Sequence, residues 1–202
     1  MPHEELWQQL AGLDEAETAQ RAMCQYLPNP QRYVITLLNT EYIVNPAEKQ
    51  IFSAQAGAEP QLAEFLEQLC LLAYLINAKD LPLANKLVKA ESLPGGEFFF
   101  RGLHSLPTEK LEKSFSQHPE LLYQITERFG ARRCEFGDAS IRLYVLPRLP
   151  LTIVIWRSDE EFPSRASILF DQTASDQLPL DALGVAVNLT IDAVIKDVDK
   201  SS

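Results

Sequence analysis

Cysteine is scarce in this chain, and the three it has, Cys24, Cys70 and Cys134, lie far apart in apolar surroundings. An odd, scattered set gives no disulfide framework, and without a CxxC pair it gives no cysteine-based zinc or cluster site. They read as reduced, buried thiols, which points to a cytoplasmic protein. Histidine is equally rare: His3 is near-terminal, His118 precedes Pro119, and only His104 sits in an irregular stretch. No two lie at metal-ligand spacing. Glycine is thin as well, and neither GxxxxGK[ST] nor GxGxxG occurs, so Gly95-Gly96 is no phosphate cradle. No serine sits in a GxSxG elbow. The acidic start Met1-Pro2-His3-Glu4-Glu5 lacks the apolar core of a signal peptide. The greasiest segment, Leu62 to Ala78, carries Glu64, Glu67 and Gln68 and reads as a buried helix rather than a membrane span.

Positive charge is short too. Lysine and arginine number 18 against 28 acids, for a net charge of -10. Such a surface repels phosphate backbones and anionic lipids, so neither nucleic acid nor membrane is an expected partner. Arg132-Arg133 is the one adjacent basic pair.

What the chain does have is an ordinary apolar content, 46%, over 202 residues, enough for a sizeable core in one domain spanning 1–202. Helical spacing of Leu6, Leu10 and Leu13, with Asp14 and Glu17 as a capping pair, predicts N-terminal helices over 4–26. Tyr33–Leu38, Glu41–Val44 and Gln50–Phe52, parted by Asn and Pro, predict a three-stranded meander. Pro60 is placed to open a helix through Asn77. Residues 80–106 look irregular, with a type II turn at Leu93-Pro94-Gly95-Gly96. Short helices are expected at Pro107–Phe115 and Pro119–Phe129, and a hairpin around Gly137-Asp138. Leu180, Leu183, Val187, Ile191, Val194 and Val198 mark a C-terminal helix over 179–197, with a frayed tail from Asp199 to Ser202. Seven of the 13 prolines follow a leucine, a device that ends or starts an element beside an apolar anchor. The expected fold is α+β: a largely antiparallel sheet of about six or seven strands, with helices packed mainly on one face.

The most informative stretch is Leu149 to Asp171. Its apolar run Leu151–Trp156 and the run Ala166–Phe170 are joined by too few residues for a parallel crossover, so they should be antiparallel neighbours near the sheet centre. The joining loop holds Asp159-Glu160-Glu161 between Arg157 and Arg165. Those carboxylates suit a hard cation, with Asp159 and Glu161 the ligands if any, or a general base. The plain alternative is a solvated loop shaped by arginine–carboxylate pairs. Asp171 falls at the far end of its strand, roughly 20 Å away, and cannot join Glu161 in one site. Arg101, His104 and Arg148 complete the candidate binding set, which would meet the acidic loop in one pocket.

The residues Leu93-Pro-Gly-Gly-Glu-Phe-Phe-Phe-Arg-Gly, Leu106-Pro107, Gly137-Asp138, Leu146-Pro-Arg-Leu-Pro-Leu, Trp156, Asp159-Glu-Glu-Phe-Pro and Leu169-Phe-Asp make the chain similar, from Leu13 to Ile195, to an uncharacterised bacterial and archaeal family, the domain of unknown function numbered 3786. The resemblance implies membership of a family common in anaerobes. Some members carry an added cysteine-rich iron–sulfur segment or sit beside corrinoid methyltransferase systems. That segment is missing here, so cluster binding does not carry over. The family brings no established catalytic residue, and the cofactor of this chain, if any, is left open. Three functions therefore stand side by side. The first is a non-catalytic binding or accessory module for a protein or small cofactor. The second is a metal-assisted hydrolase or transferase using the acidic loop and His104. The third is a structural homo-oligomer.

Overall fold

The structure is a computed structural model and describes residues 3–54 and 59–201. Met1, Pro2 and Ser202, on which part of the terminal expectations rested, lie outside the described residues. Two helices open the fold, α1 (Glu4–Ala11) and α2 (Glu15–Ala22). The Asp14 carboxylate caps α2 by accepting from the Glu17 amide at 2.8 Å. Helix α2 stops at Ala22 because Met23 turns left-handed, and Gln25–Pro28 is strand β1 rather than the last turn of the expected helix. Strands β2 (Gln31–Leu37), β3 (Thr40–Asn45), β4 (Gln50–Ala54) and β5 (Gln61–Leu62) follow. The predicted meander is there, widened by an edge strand on each side into a sheet of order β1-β2-β3-β4-β5, antiparallel throughout.

Pro60 does not open a helix. Gln61 and Leu62 pair with Ser53 and Phe52 instead, and the Ala63 amide donates to the Ile51 carbonyl at 2.8 Å. Helix α3 (Phe65–Asn77) starts after Glu64, whose amide donates to the Glu67 carboxylate at 2.8 Å, half of a capping box. The helix ends at the expected Asn77. Six consecutive residues, Cys70 to Leu75, are buried in it, as the widened apolar face requires.

Residues 80–106 contain a strand that no local pattern announced, β6 (Leu87–Lys89). After it comes the expected type II turn. Gly95 has φ +76°, and the Gly96 amide closes the turn on the Leu93 carbonyl at 2.8 Å. Gly96 must itself be glycine, since a Cβ there would stand 2.0 Å from the Ala90 carbonyl oxygen. A single helical turn, α4 (Gly96–Phe99), leads through a 3-10 turn, Gly102–His104, to α5 (Thr108–Phe115). The next expected helix is a 3-10 segment, Pro119–Ile125.

Strands β7 (Arg132–Arg133), β8 (Ala139–Leu146), β9 (Leu149–Trp156) and β10 (Arg165–Asp171) complete a second antiparallel sheet, of order β6-β10-β9-β8-β7. A short α6 (Ala174–Gln177) and a long α7 (Leu180–Ser201) end the chain. Helix α7 carries the expected apolar stripe but continues through Asp199 and Lys200, which the sequence reading placed in a frayed tail. The α+β, antiparallel architecture is as expected. Its strands divide into two sheets of five rather than gathering in one, and the Leu38 amide ties them by donating to the Val145 carbonyl at 2.9 Å.

Strand β9 sits at the centre of the second sheet, and every residue from Leu149 to Ile155 is buried. Ile153 lies in register with Ile141 on one side and Ile168 on the other, and Leu151 with Leu143 and Phe170. Pro150 lacks an N–H, yet it is tolerated near the start of this central strand, opposite a bulge between Tyr144 and Leu146. One cluster of buried side chains extends from Trp7 and Leu10 of α1 through this strand to Val198 of α7. Replacing a fully buried branched side chain here leaves a cavity, whereas the wholly exposed Leu103 removes nothing from the core. Ile153→Ala should therefore destabilise the protein by about 2–5 kcal/mol and Leu103→Ala by about zero. Urea denaturation of the two variants checks this; similar midpoints would contradict the placement of β9.

Candidate functional site

Strands β9 and β10 run as the antiparallel pair expected from the sequence, Trp156 opposite Arg165 and Leu151 opposite Phe170. The loop joining them, 157–164, is built from its own polar groups. One oxygen of the Asp159 carboxylate accepts from the Glu161 amide at 2.9 Å and the Phe162 amide at 2.7 Å, and the Asp159 amide donates to the Phe162 carbonyl at 2.9 Å. Asp159 is thus an Asx-turn residue. Glu160 and Glu161 are exposed beside it. The acidic triplet does not converge, and no group of three or more His, Cys, Asp or Glu suited to a metal ion forms among the described residues.

Neighbouring elements grip this loop. The Ser158 hydroxyl accepts from the Gln117 side chain at 3.0 Å. The Ser164 hydroxyl donates to the Glu112 carbonyl at 3.2 Å, and the Glu112 carboxylate accepts from the Ala166 amide at 3.1 Å. The Asp138 carboxylate accepts from the Arg157 amide at 2.7 Å. Asp138 is set in place by Gly137, φ +58°, which passes so close to β9 that a Cβ would stand 2.6 Å from the Ile155 carbonyl oxygen. The Arg157 guanidinium reaches Glu120 at 3.1 Å, and Glu120 in turn meets His118 at 3.0 Å.

Between these groups lies a cleft of about 680 Å³, within the size range of small-molecule sites. Trp156, half-buried, forms one wall with the Arg165 guanidinium stacked 4.6 Å from its ring centre. Phe162, 66% exposed, and Pro163 form a lip. Glu112, Asp138 and Asp159 complete the lining with Arg157. Of the residues singled out in the sequence, Arg157, Asp159 and Arg165 meet here. Glu112, Glu120 and Asp138, which sequence reading missed, come from α5, the 3-10 segment and the β7–β8 turn. Only the Gly137-Asp138 turn had a sequence signal.

The other candidates are elsewhere. Arg148 sits in the β8–β9 turn, at the opposite end of β9, roughly 26 Å from Trp156 at about 3.3 Å per residue. It is a structural clamp. Its Nε donates to the Arg21 carbonyl at 2.7 Å, its Nη1 to the Leu81 carbonyl at 3.1 Å, and it pairs with Asp80. Its amide donates to the Tyr74 hydroxyl at 3.0 Å, which itself donates to the Ala22 carbonyl at 3.2 Å. Arg101 pairs with Glu97 at 2.9 Å, and His104 stacks on Phe99 with ring centres 4.8 Å apart. Both are exposed and neither lines the cleft. The pocket expected where Arg101, His104, Arg148 and the acidic loop meet does not form. Of the thiols, only Cys70 is fully buried; Cys24 and Cys134 are half-buried. Burial pushes Cys70 and Cys24 up to about 12, well outside the range of a nucleophilic thiolate.

A family model described as Domain of unknown function (DUF3786) matches residues 14–193. The chain belongs to that family. The DUF3786 span opens on Asp14, the cap of α2, and takes in both sheets and the whole cleft, leaving α1 outside. No curated protein and no solved structure matches the chain. No helix among the described residues is long and apolar enough to cross a membrane.

Asp171, conspicuous in the sequence, has a structural task at the far end of β10. Its carboxylate is buried and accepts from the Ala84 and Asn85 amides, at 3.0 and 2.7 Å, and from the Thr173 amide and hydroxyl, at 3.1 and 2.7 Å. Burial raises its pKa, but these four hydrogen bonds outweigh burial and hold it below the usual aspartate value. With the folded value below the unfolded one, its stabilisation is complete above the ordinary aspartate pKa of about 3.9 and is lost as pH falls from there through the folded value. Asp171→Asn should cost about 1–3 kcal/mol at neutral pH, and that gap should shrink once pH drops below about 3.9. Denaturation at neutral and acid pH checks this; a gap independent of pH would refute it.

Proposed function

We propose that this member of DUF3786 is a non-catalytic binding module that takes a small molecule into the cleft at the Trp156 end of the second sheet. The observation that carries this reading is the Arg165–Trp156 stack. A guanidinium lies over an indole in a cleft lined by three carboxylates, yet it forms no ion pair with any of them. Each of these carboxylates fastens a backbone amide through one oxygen, and the planar cation is held over the indole with its edges open. The rigid loop, central strand and aromatic wall together give a preformed polar and aromatic site.

A catalytic reading fares less well on geometry. His104 is on a different part of the surface, and no carboxylate of the cleft faces a histidine partner within it. Native mass spectrometry of the protein purified from its own cells tests the proposal. The expected result is a non-covalent adduct on the wild type that is lost, by about tenfold or more in occupancy, from a Trp156→Ala, Arg165→Ala double variant. An adduct retained by that variant would place binding outside the cleft, and no adduct on the wild type would overturn the reading.

A further inference from the structure

The cleft's charges fall into two sets, and together they describe a ligand. The first set is Glu112, Asp138 and Asp159, each anchored through one carboxylate oxygen, by the Ala166, Arg157 and Glu161/Phe162 amides. Among the described residues the second oxygen of each takes no hydrogen bond. These acids are pre-positioned acceptors that need not reorganise on binding. In the same cleft, Arg165 is held over Trp156, and its guanidinium edge, a fork of donors, takes no hydrogen bond or ion pair among the described residues.

Most simple ligands satisfy only one set. A bare metal ion needs three close ligands, and the acids do not cluster that tightly. A phosphate dianion would meet Arg165 but face three carboxylates. A plain amine would meet the carboxylates but leave the guanidinium unpaired beside it, a like-charge cost. A ligand carrying both signs a short distance apart satisfies both sets, and the exposed Phe162 lip with Pro163 offers apolar contact for a side chain.

Resting on the binding-module reading above, we propose that the cleft recognises a zwitterion of the α-amino-acid type. Its carboxylate is gripped by the Arg165 fork, its ammonium by a free carboxylate oxygen of Glu112, Asp138 or Asp159, and its apolar side chain by Phe162 and Pro163. A flat carboxylate matches a guanidinium edge through two parallel hydrogen bonds, which a tetrahedral phosphate matches no better.

Isothermal titration calorimetry on the full chain separates the parts. The probes are L-phenylalanine, L-leucine, 3-phenylpropionate, which lacks the ammonium, and 2-phenylethylamine, which lacks the carboxylate. Phenylalanine or leucine should bind, and phenylalanine about tenfold or more tighter than either one-charge analogue, the loss expected for one charge-assisted contact. Arg165→Gln should erase the advantage of phenylalanine over 2-phenylethylamine, while Arg165→Lys should restore part of it. An unchanged melting temperature in Arg165→Gln shows that the loss is not unfolding. Equal binding of phenylalanine and both analogues, or no binding of either amino acid with ligand at about 1 mM, the weak end of specific binding, overturns the proposal. If the purified protein nonetheless carries an adduct that the double variant loses, the cleft reading stands and the zwitterion assignment alone falls.

Discussion

The pairing of β9 with β8 on one side and β10 on the other governs what the rest of the molecule can do. Side chains from Leu149 to Ile155 are buried, so the strand cannot shift register by one residue without moving its whole apolar set between faces. That rigidity fixes where Trp156 leaves the core and where Arg165 enters it, as opposite members of the last pair in the ladder. The cleft is the open end of that ladder. Its loop does not need a metal or a disulfide to hold shape, because Asp159, Asp138 and Glu112 tie it at three points.

Those three ties share one chemistry, a carboxylate oxygen accepting a backbone amide. Such bonds are charge-assisted and satisfy amides that strand ends leave unpaired. The same device appears far from the cleft, where Asp171 gathers Ala84, Asn85 and Thr173, and at the start of α2, where Asp14 holds Glu17. A strongly acidic chain thus spends many of its carboxylates on its own backbone.

How much was legible in the sequence depended on whether the deciding contact was local. The runs Leu151–Trp156 and Ala166–Phe170 announced an antiparallel pair because continuous burial leaves a continuous apolar signal. Helix α7 was legible through its period, except at its end, where the polar Asp199 and Lys200 gave no reason to continue. Strands β1, β5 and β6 were not legible. Each is short, at a sheet edge, and partly polar, and each is extended only because a partner elsewhere presents unpaired amides. For the same reason the division into two sheets could not be read locally. In the site, Arg157, Asp159 and Arg165 were found because they are close in sequence, while Glu112 and Glu120 arrive from separate helical segments. Arg148 misled because a free-looking arginine in a Pro-flanked turn turned out to be a clamp on Arg21, Leu81 and Asp80.

The edge strand β6 has a kinetic consequence. Strands β7 to β10 follow one another as a meander and can form with short loop closures, but β6 must return across α4 and α5 to pair with the end of β10. Closing so long a loop costs entropy before the new contacts repay it, so its docking belongs late in the order of folding events. Asp171, waiting at that end of β10 to receive the Ala84 and Asn85 amides, acts as the latch for that last closure, and the second sheet has its full width only once it has caught.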